Sequence, residues 1–236
     1  MKIGVFVGSA PMSFSARAST APTVDLQWGD PSESVQQYSF ADTECYVMRR
    51  HGAQSQIAPH AINYRANLWQ MKSLGVDAVI GTHTVGSIDP NLAVGGLVIP
   101  HNLIDYTWGR ESTFDDHRRH VEFSEPYDAG LCTSLAKLDS EVLHGGVYGC
   151  TQGPRLETAA EIARLANDGC TLVGMTGMPE ASLARELEIP FASICLIVNP
   201  AAGLVGGAID MAALREISTT GAQKFVNLIE RFCGAQ

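Results

Sequence analysis

Apolar residues in this chain come in short blocks, separated by stretches where apolar positions recur every three or four residues. KIGVFVG at the start, the block Tyr46–Met48, VDAVIGT, GGLVIP, GGVYGC, LVGM and PFASICLIV read as strands. Several run apolar without alternation, the mark of strands covered on both faces. Between them, residues 63–74 place Tyr64, Leu68 and Met71 on one helical face, and Gly75 stops the helix. Residues 158–167 read as a helix ended by Gly169, and Pro179 suits the start of another running to about Leu187. Asp210 is placed to cap a final helix with Met211, Leu214, Phe225, Leu228 and Phe232 on its inner side. The alternation predicts an α/β fold, a single domain over 1–236 with a mixed central β-sheet flanked by helices. The segment from His101 to Asp128 has weak periodicity and reads as a long loop carrying function or an interface.

Composition narrows the function. Of 236 residues, 45% are apolar and 17% charged, enough for a sizeable core. A net charge of −9 without a basic stripe argues against a nucleic-acid partner. The apolar run at the N-terminus is too short for a signal peptide or a membrane span. Six scattered cysteines without CxxC spacing predict free thiols in a reducing compartment, the cytoplasm, and no structural zinc. The expected partner is a small molecule or another copy of the chain.

Ligands of open α/β sheets collect at the carboxyl ends of strands. The residues there are Ser9, Arg50, His51, His83, Thr84, Met175, Thr176 and Asn199, with Glu157 after the GPRL turn. Arg50, His51, Ser9, Thr84 and Thr176 are donors suited to an oxyanion such as phosphate. Glu157 accepts hydrogen bonds and Asn199 both donates and accepts, which complements a ring with an N–H beside a C=O. Local readings compete with each. Arg50 and His51 fit a surface ion pair, Ser9 a turn and His83 a packed histidine. Glu157 fits a carboxylate in a helix's first turn, and Asn199 an Asn-Pro turn. GxSxG, HExxH, P-loop and GxGxxG patterns are absent, and the histidines lack metal-ligand spacing.

RHG at 50–52, INYRANLWQMKSLG, GPRLETAAE at 153–161 and GMTGMPEASLAREL at 174–187 resemble the trimeric purine nucleoside phosphorylases and methylthioadenosine phosphorylases over nearly the whole chain. The resemblance implies cleavage of an N-glycosidic bond by inorganic phosphate as co-substrate, with no cofactor and no metal. It implies phosphate contacts from Ser9, Arg50, His51, His83, Thr84 and Thr176, with Thr176, Arg50 and Asn199 as the catalytic set. Met175 matches the residue packing on the sugar, and Glu157 with Asn199 the purine-reading pair.

Adenine-preferring members carry aspartate at the position of Asn199 and again two residues on. Here the second position is Ala201, and Glu157 stands where those members have serine. A 6-oxopurine is therefore expected. Met211 falls where nucleoside phosphorylases keep a histidine for the 5′-hydroxyl. The expected substrate is a 5′-methylthio nucleoside of hypoxanthine, yielding the free base and 5-methylthioribose 1-phosphate. Read locally, Met211 is core. His120 matches a residue lent by a neighbouring subunit, which implies a homotrimer; read locally, it is an exposed loop histidine. Two departures touch the phosphate end: VGSAPM replaces the family's GGTGL, and His83-Thr84 stands where members have Asn or Thr before a small residue. They keep open a methylthioadenosine or general purine nucleoside phosphorylase, a hydrolytic nucleosidase, and a nucleoside-binding protein with an impaired phosphate site.

Overall fold

In the computed structural model, which describes residues 1–22, 26–114 and 120–235, the apolar blocks become neighbours in one eleven-stranded mixed sheet. In chain order the elements are β1 (Lys2–Val7), β2 (Ser19–Thr20), β3 (Gln36–Phe40), β4 (Thr43–Arg49), α1 (Tyr64–Ser73), β5 (Ala78–Ser87), β6 (Leu97–Ile99), β7 (Asn102–Asp105), α2 (Ala129–Ala136), β8 (Leu143–His144), β9 (Val147–Cys150), α3 (Ala159–Asn167), β10 (Leu172–Gly174), α4 (Glu180–Glu186), β11 (Phe191–Pro200) and α5 (Met211–Gly234).

The sheet is organised around β5. Its first half pairs in parallel with β1, its length with β11, and its last residues antiparallel with β10. From β5 the sheet extends through β1, β4, β3 and β2 on one side and through β10, β9 and β7 on the other, while β11 carries β6 and β8. Because β1, β4, β5 and β11 run parallel, their carboxyl ends open on the same side. The first eight residues of β11 are buried and only Asn199 and Pro200 are not, so its apolar run is a covered strand ending at a polar exit. The register of β11 on β5 slips between Ile197 and Asn199. Such a bulge re-aims the residue that follows it.

The helices start where polar caps allow. Asn63 accepts from the Ala66 N–H at 3.0 Å to start α1. Thr158 and Glu161 cap α3 reciprocally, each side chain accepting from the other's backbone N–H. Asp210 accepts from Ala212 and Ala213 at the head of α5.

The structure extends the reading in three places. The strand begun by VDAVIGT continues to Ser87, so His83 and Thr84 lie inside β5 rather than after it. The long segment between His101 and Asp128 contains β7, and Asp128 caps α2, whose eight residues are too few for a clear period; residues 115–119 of that segment lie outside the described residues. Met211 is not on the inner side of the last helix: it is 47% exposed, whereas Phe225, Leu228 and Phe232 are buried as expected. Among the described residues, no helix is long and apolar enough to cross a membrane.

Helix α5 packs on β11 with Gly221 against Leu196, whose Cδ2 lies 2.5 Å from where a β-carbon would sit. Alanine at 221 gains about 1 kcal/mol of helix propensity. It also overpacks a side chain with no exposure, at about 1–3 kcal/mol. Gly221→Ala should therefore lower the urea midpoint of unfolding, and Leu196→Val in the same chain should recover part of the loss.

Candidate active site

The carboxyl ends of β1, β5, β10 and β11 and the turn after β4 surround one cavity. Its walls include Gly8, Ser9, His51, His83, Thr84, Glu157, Met175, Thr176, Asn199, Met211 and Leu214. Of the residues predicted for the site, only Arg50 and His120 are not among these.

Ser9, Thr84 and Thr176 bring three hydroxyls to the cavity. Ser9 Oγ and Thr84 Oγ1 are 2.9 Å apart and share a hydrogen bond. The loop carrying Ser9 approaches β5 closely: a β-carbon on Gly8 would sit 2.7 Å from the Thr82 carbonyl oxygen, so glycine is required for the turn. Gly174 and Gly177 likewise let the loop bearing Met175 and Thr176 lie directly on the Tyr148 ring.

Both histidines of the cavity are held neutral. His51 Nδ1 is 2.8 Å from the Ile57 carbonyl oxygen. A carbonyl only accepts, so the proton is on Nδ1 and Nε2 is left as an acceptor. Burial lowers the affinity of His51 for a second proton, the Ile57 bond opposes this, and the Arg50 charge adds to it. His83 is buried between two hydroxyls, with Nδ1 2.8 Å from Thr176 Oγ1 and Nε2 3.2 Å from Ser193 Oγ. Burial, then the charges of Arg50 and His51, push its pKa well down. His83 thus joins the Thr176 hydroxyl to a core serine that sequence reasoning missed: Ser193 lies mid-strand and carries no motif signal.

Arg50 corrects the reading. It is neither a surface residue nor a wall of the cavity. Its guanidinium is fully buried and forks onto Glu180, Nε to Oε1 at 2.6 Å and Nη2 to Oε2 at 2.9 Å. It also donates to the carbonyl oxygens of Thr82 at 2.5 Å and Phe6 at 3.4 Å. Glu180 reaches it because α4 starts directly after the Met175–Met178 turn. Burial pushes the Glu180 carboxyl up, against the pull of Arg50. Among the described residues, no lysine or arginine lines the cavity.

At the other end, Asn199 Nδ2 donates to the Pro200 carbonyl at 2.7 Å. That bond fixes which amide atom is nitrogen and leaves one N–H and Oδ1 for a ligand. Glu157 does not sit in a helix's first turn. It precedes the cap of α3, and its Oε1 accepts from Thr151 Oγ1 at 2.5 Å. Met211 opens α5 at the cavity, half exposed, which removes the reading of it as core. His120 is exposed, away from these walls.

Residues 2–233 match the model of the phosphorylase superfamily. The chain is similar to a probable S-methyl-5′-thioinosine phosphorylase of Pseudomonas syringae pv. tomato, 44% identical over 220 residues, covering 90% of this chain and 89% of that protein. It is also similar to a 6-oxopurine nucleoside phosphorylase of Pyrococcus furiosus, 37% identical with 100% and 96% covered. Among solved structures, methylthioadenosine phosphorylase from Schistosoma mansoni in complex with adenine superposes with a TM-score of 0.90 at 26% identity, covering 100% of this chain and 92% of that one.

The neutral histidines set a pH dependence of stability. Above pH of about 6.5 neither the folded nor the unfolded chain protonates them, and their effect is nil. As pH falls below that value the unfolded chain takes up protons that the folded one refuses. Stability should then fall, by at most about 1.4 kcal/mol per pH unit for each histidine. His83→Asn, which keeps a polar atom near the Nδ1 position, should flatten the slope in urea titrations between pH 7.5 and 5.5.

Proposed function

The chain belongs to the phosphorylase superfamily, and we propose that it cleaves S-methyl-5′-thioinosine with inorganic phosphate, releasing hypoxanthine and 5-methylthioribose 1-phosphate. The observation that carries the proposal is the presence of Glu157 and Asn199 on one cavity, each held by one neighbour, Glu157 with Oε2 free and Asn199 with one N–H and Oδ1 free. The free carboxylate oxygen accepts from N1–H of a 6-oxopurine. The free amide N–H donates to O6, and Oδ1 accepts from N7–H. An adenine ring offers a lone pair at N1 and an amine at position 6, leaving polar groups unpaired at about 1–3 kcal/mol each. The names of the Pseudomonas and Pyrococcus relatives agree with an oxopurine.

The chemistry follows from what the cavity holds. A phosphate oxygen attacks C1′ of the sugar as the bond from C1′ to N9 breaks, and the electron pair leaves with the base. As electron density rises on the base, N7 takes up a proton from solvent, and Asn199 Oδ1 accepts from that N7–H. Positive charge develops on the sugar ring, and the phosphate beneath it supplies both nucleophile and counter-charge. Thr176 donates to phosphate, as do Ser9 and Thr84 once their shared bond opens, and His51 Nε2 accepts a hydrogen bond from the hydroxyl of a hydrogen phosphate. His83 acts by orienting Thr176. Met175 packs on the sugar, and the Met211 thioether meets the methylthio group. Phosphate is the co-substrate, and the scheme uses no cofactor and no metal. The reading includes a homotrimer in which His120 serves a neighbouring copy's site, which a three-chain mass by light scattering checks. It also includes the cytoplasm, in keeping with six free, buried cysteines.

A second reading is favoured by one observation, the absence of a cationic side chain on the described cavity walls. A neutral cradle suits water as well as phosphate, and the chain would then be a hydrolytic nucleosidase.

Methylthioinosine incubated with and without phosphate separates them. Phosphate-dependent hypoxanthine release is expected. Equal release without phosphate selects the hydrolase, and faster cleavage of methylthioadenosine removes the oxopurine assignment. Inosine should be a poorer substrate by up to about a hundredfold, since an apolar pocket rejects an added hydroxyl only weakly. Met211→His should raise kcat/KM for inosine relative to methylthioinosine; an unchanged ratio removes Met211 from the 5′ pocket.

A further inference from the structure

Thr151 is the first residue after β9 and precedes the turn that delivers Glu157. Its backbone N–H donates to the Gly174 carbonyl at 2.8 Å, which pins it to the end of β10. Its hydroxyl oxygen lies 2.5 Å from Glu157 Oε1 and 3.3 Å from the same Gly174 carbonyl. A hydroxyl has one proton to give. The carbonyl already receives the Thr151 amide, and the carboxylate is much nearer, so the proton goes to Glu157.

We infer that Thr151 is a positioning residue for base specificity, holding Glu157 as an acceptor turned toward the purine's N1 edge. The inference rests on the reading of Glu157 as a purine contact and adds to it the element that makes it selective. A carboxyl group by itself has two faces to offer. Ionised, it accepts from N1–H of an oxopurine; protonated, it donates to the bare N1 of an aminopurine. The Thr151 hydroxyl donates to Oε1, so that oxygen is engaged as an acceptor and Oε2 is the oxygen left for the ring. The bond also joins the two ends of the seven-residue segment 151–157, which passes through Pro154, and so restricts the rotation of Glu157. Exclusion of the aminopurine then arises at a residue that need not touch the base.

The test measures kcat/KM for methylthioinosine and for methylthioadenosine in Thr151→Val, Thr151→Ser and Glu157→Gln, with a thermal melt of each. Thr151→Val should lower the ratio of the two by about tenfold, the weight of one hydrogen bond to a charged group. Thr151→Ser, which keeps the hydroxyl, should restore it. Glu157→Gln should also lower the ratio. If Glu157→Gln lowers it and Thr151→Val does not, the role of Thr151 is overturned while the purine contact stands. An unchanged ratio in Glu157→Gln overturns the purine contact itself, and the inference with it. Equal loss on both substrates in Thr151→Val, with a lower melting temperature, marks Thr151 as structural only and also overturns the inference. Should the valine chain not fold, Thr151→Ala removes the hydroxyl without adding bulk and is read by the same ratio.

Discussion

The bidentate pair between Arg50 and Glu180 holds the site together. Arg50 ends the segment after β4, and Glu180 begins α4, 130 positions later in the chain. Between them the guanidinium reaches carbonyls of β1 and β5. One side chain thus joins four elements at the carboxyl end of the sheet. Burying two charges costs several kcal/mol per ion, and the cost is offset only when geometry is good and the remaining donors are bonded. Here the fork fits the carboxylate, and two of the three remaining N–H groups have carbonyl partners. Such a pair contributes little net stability against an apolar substitute, yet leaving one charge alone is strongly unfavourable. The pair therefore specifies where the strand ends and α4 meet more than how firmly they hold.

That arrangement determines the character of the cavity above it. With the arginine paired to Glu180 and both histidines uncharged, this end of the cavity consists of hydroxyls and one imidazole acceptor. In the proposed reading, recognition of phosphate there depends on the direction of hydrogen bonds rather than on net charge. His83 is held by Ser193 on one nitrogen and meets Thr176 with the other. In that reading the departure from Asn or Thr at this position acts through Thr176.

The base end follows the same rule with different groups. Asn199 spends one N–H on Pro200, and Glu157 takes one bond from Thr151. Each of the two groups keeps a defined remaining hydrogen-bonding capacity, and both line one cavity. A flexible amide or carboxylate would fit either purine edge. A group already committed to one neighbour presents a single pattern.

The blocks and periods of the chain determined the major strands, four of the helices and the class of fold, because burial on two faces leaves an unmistakable apolar run. They also marked residues at strand ends, though His83 and Thr84 lie inside β5, and the family resemblance attached chemistry to them. Short strands such as β2, β3 and β8 and the eight-residue α2 were not legible, since they are held by neighbours more than by pattern. Only the tertiary structure decided what each polar residue faces. Arg50, expected at a strand end, has its fork taken by Glu180, 130 positions along the chain. Met211 fitted the inner period of α5 but lies where that helix leaves the core. Ser193 carries no motif because it acts through a contact with His83, 110 positions away. A hydrogen bond is short and directional, and its partner is fixed by where two distant segments meet, which no local pattern records.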